Sequence, residues 1–97
     1  MELSYSEFLE KIDTANMKGK RMKMPRFTKN LSVDREGIYS YGTKIAELDF
    51  PSRFIVRIGY YSPTSSHHYY YMLRYLQKFD FNEVDTGTMP LFSKALV

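Results

Sequence analysis

At 97 residues with a net charge of +3, the chain is one domain's worth of polypeptide. A domain of this size buries only about 60–65% of its extended surface, which leaves little room for a deep enclosed catalytic pocket. The chain has no cysteine, so disulfides and thiolate zinc sites are excluded. No apolar run approaches the ~18 residues of a membrane helix, and the acidic start Met1-Glu-Leu-Ser-Tyr-Ser-Glu7 is unlike a signal peptide, so no membrane partner and a cytoplasmic location are expected.

The first element is a helix. Ser4 followed by Glu7 forms a capping box, and Leu3 is placed to staple onto Phe8. Phe8, Leu9, Ile12 and Ala15 recur at helical spacing, predicting a helix over about 5–16 that ends near Asn16 or Gly19. Residues 17–33 follow with Lys18, Lys20, Arg21, Lys23, Arg26 and Lys29 and no acid. A basic segment on a mildly acidic body suggests an electrostatic partner, and the plainer reading is a solvated, mobile linker. Gly19 and Pro25 argue against one continuous helix here, and nothing in the pattern fixes whether the segment is ordered.

Residues 37–61 predict a β-hairpin. Gly37–Leu48 reads as the first strand, with Gly42 marking a bulge. Asp49-Phe-Pro-Ser52 supplies the turn, and Arg53–Ile58 the second strand. Alternation groups Phe54, Val56 and Ile58 on one face, the expected core face, with Arg53, Ile55 and Arg57 on the other. Ser62-Pro63 is a strong helix start, with Ser as the cap and Pro in the first turn. Tyr69, Met72, Leu73 and Leu76 form its buried stripe, and the helix is expected to stop near Phe79 or Asp80. In the tail, Asp85-Thr-Gly87 reads as a turn and Met89–Phe92 as a short edge strand. The expected class is α+β: an N-terminal helix, a β-hairpin, and a capped helix packed on one sheet face, in a single domain over 1–97.

The second helix carries the main candidate site. Opposite its buried stripe stand His67, Tyr71, Arg74 and Lys78, with Tyr70 beside them and no acid from His67 to Lys78. Tyrosine and arginine are frequent interface anchors, and the same types stack on bases and neutralise phosphates. Arg53 and Arg57 are expected to extend this partner-binding face. For direct nucleic-acid binding the candidates are Lys18, Lys20, Arg21, Lys23, Arg26 and Lys29 together with that face. The helix start, with hydroxyls on Ser62, Thr64, Ser65 and Ser66, is expected to cap itself rather than hold an anion.

Catalytic patterns are weak. His67 and His68 are adjacent, so they point about 100° apart on a helix and do not chelate one metal together. Ser66 beside His67 or His68 is a coincidence of neighbours, not a triad. Glu47 and Asp49, or Asp80, Glu83 and Asp85, show no spacing that singles out an acid–base pair. A protein without catalytic residues, metal or cofactor is expected; a metal-dependent hydrolase is the minor alternative.

Tyr39-Ser-Tyr-Gly-Thr-Lys-Ile-Ala46 and Tyr60-Tyr-Ser-Pro-Thr-Ser-Ser-His67 resemble a group of small, mostly phage-encoded proteins. Those proteins pair an S-Y-x-T-x-I-A strand with a Y-S-x-T-T-S-x-H helix start. The matching residues are Ser40, Tyr41, Thr43, Ile45, Ala46, Tyr61, Ser62, Thr64, Ser65, Ser66 and His67. The chain departs with Gly42 in the strand and with Ser65 where the group tends to have Thr. The resemblance covers about residues 37–76 and implies a ββα core and a phage-like origin. It supplies no catalytic residue. The group has no agreed activity; the phage-like origin and the small size, rather than the motifs, lead to the expectation of a non-enzymatic protein that inhibits a host defence nucleoprotein, in the manner of anti-CRISPR proteins, by steric occupation. The partner is then a host protein or nucleoprotein complex in the host cytoplasm, and direct nucleic-acid binding is the second reading.

Overall fold

The computed structural model describes residues 3–27, 29–58 and 62–84. Helix α1 spans Tyr5–Met17. Its start is the expected box: the Glu7 N–H donates to Ser4 Oγ at 3.2 Å, and the Ser4 N–H donates to Glu7 Oε1 at 2.9 Å. The Ser4 backbone N–H, with the Ser4 hydroxyl beside it, holds the Glu7 carboxyl below its ordinary value. At the far end the Lys20 and Gly19 N–H groups turn back to the Ala15 and Asn16 carbonyls, each at 2.9 Å, a Schellman closure. Phe8 and Ile12 face the core.

The basic segment folds into the sheet. It supplies β1 (Met22–Lys23), a 3-10 turn (Pro25–Phe27) and β2 (Leu31–Val33). Met22, Met24, Leu31 and Val33 are buried, while Lys18, Lys20, Lys23 and Lys29 stay in water. The apolar residues alternate inward and the ammonium groups outward, so one segment anchors the sheet edge and also carries the charge.

The 37–48 run differs from the single bulged strand that its sequence predicts. It is two strands, β3 (Gly37–Ser40) and β4 (Thr43–Asp49), joined by Tyr41-Gly42. Both central residues have positive φ, 54° and 80°, as a type I′ turn requires to match strand twist. The bulge lies elsewhere. Ile38 pairs with Ala46 and Tyr39 with Lys44, which leaves Ile45 as the extra residue, and both Ile45 and Ala46 are buried.

Strand β5 (Phe54–Arg57) corrects a second expectation. Ile55, from the opposite face, joins the main core cluster; Val56 is buried as expected but outside that cluster, and Ile58 is 37% exposed. Ile55 stands opposite Leu48, and Leu48 shares its face with Ala46 and Ile38, so the register with β4 selects the core face. Alternation divides a strand into two faces but does not say which one the helices cover.

Helix α2 spans Pro63–Gln77 with Ser62 as its cap. Asp80 takes φ 66°, and the Phe81 N–H bonds back to the Leu76 carbonyl at 3.2 Å, closing the helix where expected. Strand β6 (Asn82–Val84) then pairs parallel with β5. The turn at 85–87 and the strand at 89–92 lie outside the described residues. The sheet order is β1-β2-β3-β4-β5-β6, antiparallel except for the last pair. Helix α1 packs at the β1 end and α2 across β3 and β4. The class is α+β with a helix packed on the sheet, as expected, and the sheet extends well beyond a hairpin. Among the described residues no helix is long and apolar enough to cross a membrane.

Candidate functional site

The exposed flank of α2 forms one wall of a groove of about 660 Å³. His67, Tyr70, Tyr71, Arg74, Tyr75 and Lys78 line it from the helix, and Arg26 and Phe27 line it from the 3-10 turn. His67, Arg74 and Lys78 are exposed and Tyr70 is 44% exposed. Tyr71 is only half-buried: its ring meets Phe27 edge-on at 5.4 Å and Tyr75 at 6.3 Å, with the Arg26 guanidinium 6.0 Å from its centre. Tyr71 is therefore part of the groove floor rather than a projecting side chain. No carboxylate lines the groove among the described residues.

Two candidate sets that are far apart in sequence thus meet. Arg26, from the basic segment, shares the groove with Arg74 and Lys78 from the helix. Phe27 and Tyr75 complete it and were not foreseen. Phe27 had a signal, as a large aromatic residue beside Arg26; Tyr75 stands one helical turn beyond Tyr71.

Arg57 joins this surface at its side. It donates to the Tyr70 hydroxyl at 3.3 Å and lies over the Tyr69 and Tyr70 rings at 5.2 and 5.7 Å. Arg53 does not join it. Its guanidinium donates to the Phe79 carbonyl at 2.6 Å and lies 4.1 Å above the Tyr5 ring, between the start of α1 and the end of α2.

The rest of the basic segment borders a second, larger depression of about 1490 Å³ between α1 and β1. Lys18, Lys20, Arg21 and Lys23 line it, joined by Lys11 from α1. Arg21 is already engaged, 3.6 Å above the Tyr39 ring and 3.8 Å from Asp34. Lys29 is exposed but lines neither depression.

Below the groove lies a buried polar chain. Ser40 Oγ and His68 Nδ1 are 2.7 Å apart, and Ser40 Oγ is 3.1 Å from Ser65 Oγ. Ser62 donates to Ser65 Oγ at 3.3 Å while accepting the Ser65 N–H at 3.2 Å, so the helix start caps itself as expected. His68 and Ser40 are 1% and 2% exposed. The His68 ring also meets Phe27 at 4.7 Å and Tyr41 at 5.7 Å. Burial, then the neighbouring His67, pushes the His68 imidazole below its ordinary value. Counted along the chain, the histidine of the Y-S-x-T-T-S-x-H pattern stands at 68, not at 67. The conspicuous residues of the two motifs therefore meet: Ser40 and Tyr41 from the strand, Ser62, Ser65 and His68 from the helix. Ser66, the hydroxyl nearest to His68 in sequence, is not its partner.

The acids are dispersed into pairings of their own. Glu47 pairs with Lys44 at 2.8 Å, Asp49 with the Ser52 hydroxyl, Glu83 with the Tyr69 hydroxyl, and Asp80 lies 4.0 Å from Arg53. Among the described residues no cluster of three metal-ligating side chains occurs. No family model, curated protein or solved structure matches the chain.

Proposed function

We propose that this is a non-enzymatic interaction protein that docks through the α2 groove and acts by occupying its target's surface. The observation that carries the reading is the groove's composition: aromatic rings between three cations, with no lining carboxylate among the described residues. Such a surface suits an acidic or nucleic-acid-bearing target, since tyrosine and arginine bury area at modest entropic cost while the cations steer the encounter. The target in this reading is a host defence nucleoprotein in the host cytoplasm, inhibited in the manner of anti-CRISPR proteins; the phage-like origin that the resemblance implies and the small size of the chain support that choice.

The test is protection of a targeted phage in bacteria that carry defence nucleases, with the protein supplied from a plasmid. Wild type restores infection; Tyr70→Ala with Arg74→Ala does not, and weakens capture of the purified target roughly 30-fold or more, about 2 kcal/mol. Both side chains are exposed, so the melting temperature moves little. Tyr71→Ala is the wrong probe, because its packing on Phe27 confounds binding with folding. Absence of protection across a broad panel of such systems sinks the proposal.

A further inference from the structure

We propose that the trough between α1 and β1 holds the sugar–phosphate backbone of a single-stranded nucleic acid. The inference rests on the reading of the target as a nucleoprotein and deepens it: the groove grips the protein component, the trough the nucleic acid. Lys11, Lys18, Lys20 and Lys23 line the trough, and none of them makes a salt bridge among the described residues. The one lining carboxylate of the sheet side, Asp34, is taken up by Arg21 and by the backbone N–H groups of Glu36 and Gly37 at 2.8 and 2.9 Å. Glu10 is the other lining acid, so the four ammonium groups keep a net positive field. Gathering like charges around a concavity costs self-repulsion, which a polyanion relieves.

The lysines are spread along the second half of α1, the turn after it and β1, with Ser32 of β2 and Asp34 just beyond it completing the lining. A flexible single strand can bend to follow them, whereas a duplex, with a persistence length of about 50 nm, stays straight over so short a concavity. Its end adjoins the groove: Pro25 lines the trough, and the next two residues, Arg26 and Phe27, line the groove. The two grips are therefore neighbours along the chain, so the protein and the nucleic acid of one nucleoprotein can be held side by side.

The experiment is fluorescence anisotropy with a labelled oligo-dT of about 20 nucleotides, titrated with the intact protein from 50 to 200 mM salt. Four neutralised phosphates on a single strand give a log–log slope near −2.8, so affinity falls roughly 50-fold over that range. Lys18→Gln with Lys20→Gln and Lys23→Gln lowers the slope by about 2 and leaves the melting temperature nearly unchanged. Tyr70→Ala with Arg74→Ala, which disables the groove, keeps the steep slope, so the trough and the docking reading fail separately. No binding at the lowest salt, an unchanged slope in the glutamine variant, or equal affinity for the matching duplex overturns the inference.

Discussion

Ser40 and His68 show how one contact ties sequence motif, fold and surface together. The hydroxyl chain runs from Ser62, which donates to Ser65, through Ser40 to His68 Nδ1. A protonated imidazole there places a cation in a site that is 1% exposed. Ser40→Ala leaves a buried imidazole nitrogen without its partner and is expected to cost about 1–3 kcal/mol in urea unfolding. A pH dependence follows from the same site. The folded His68 binds its proton less readily than the unfolded one, whose value is the ordinary 6.5. Above that value both states are neutral and stability is flat. Below it the unfolded chain takes up the proton first, so stability falls toward the depressed folded value. Melting temperatures between about pH 7 and 5 check this, and a His68→Gln variant loses the slope in that window. An unchanged slope in that variant would assign it to other groups.

At the scale of elements, local chemistry was the most legible part of the chain. Ser4-x-x-Glu7 and Ser62-Pro63 mark both helix starts because capping needs only residues within one turn. The hairpin at Tyr41-Gly42 was misread because a tyrosine at positive φ carries no propensity signal; the flanking strands impose it. The face of β5 was misread because alternation is symmetric until pairing with β4 breaks the tie. His68 was passed over as a core residue because its partner Ser40 lies 28 positions away. The groove was half legible: the helix flank was read, but Arg26 and Phe27 reach it only through the sheet's edge. The bulge yields its own prediction. A Cβ on Gly37 would stand 2.3 Å from the Ala46 carbonyl oxygen, across β3 and β4. Backbone cannot yield there as a side-chain tip can, so Gly37→Ala is expected to destabilise by about 1–3 kcal/mol, against the small gain that Gly→Ala brings where space is free. Equal or higher stability in chemical denaturation would mean that the register of β3 against β4 is looser than the pairing implies.

For the molecule as a whole, Arg53 is where the two helices and the parallel end of the sheet are tied. Its guanidinium reaches the Phe79 carbonyl past the end of α2 and covers the Tyr5 ring at the start of α1. Its own carbonyl accepts the Asn82 N–H at 2.8 Å, leading β6 into place beside β5. This cross-link is held from a backbone with φ 60°, a region that costs a residue with a Cβ about 1–2 kcal/mol. The residue therefore combines a favourable side chain with an unfavourable main chain, and two substitutions separate them. Arg53→Ala removes the charged hydrogen bond and the ring contact but keeps the strain, for an expected loss of about 1.5–3 kcal/mol. Arg53→Gly removes the same contacts and relieves the strain, offset in part by the freer unfolded chain, so it should be the more stable of the two by roughly 1 kcal/mol. That order inverts the usual rule that glycine is the worse replacement within folded structure. If alanine proves the better substitute, the strain is absent; if neither change matters, Arg53 does not tie the helices together and is again available to a partner.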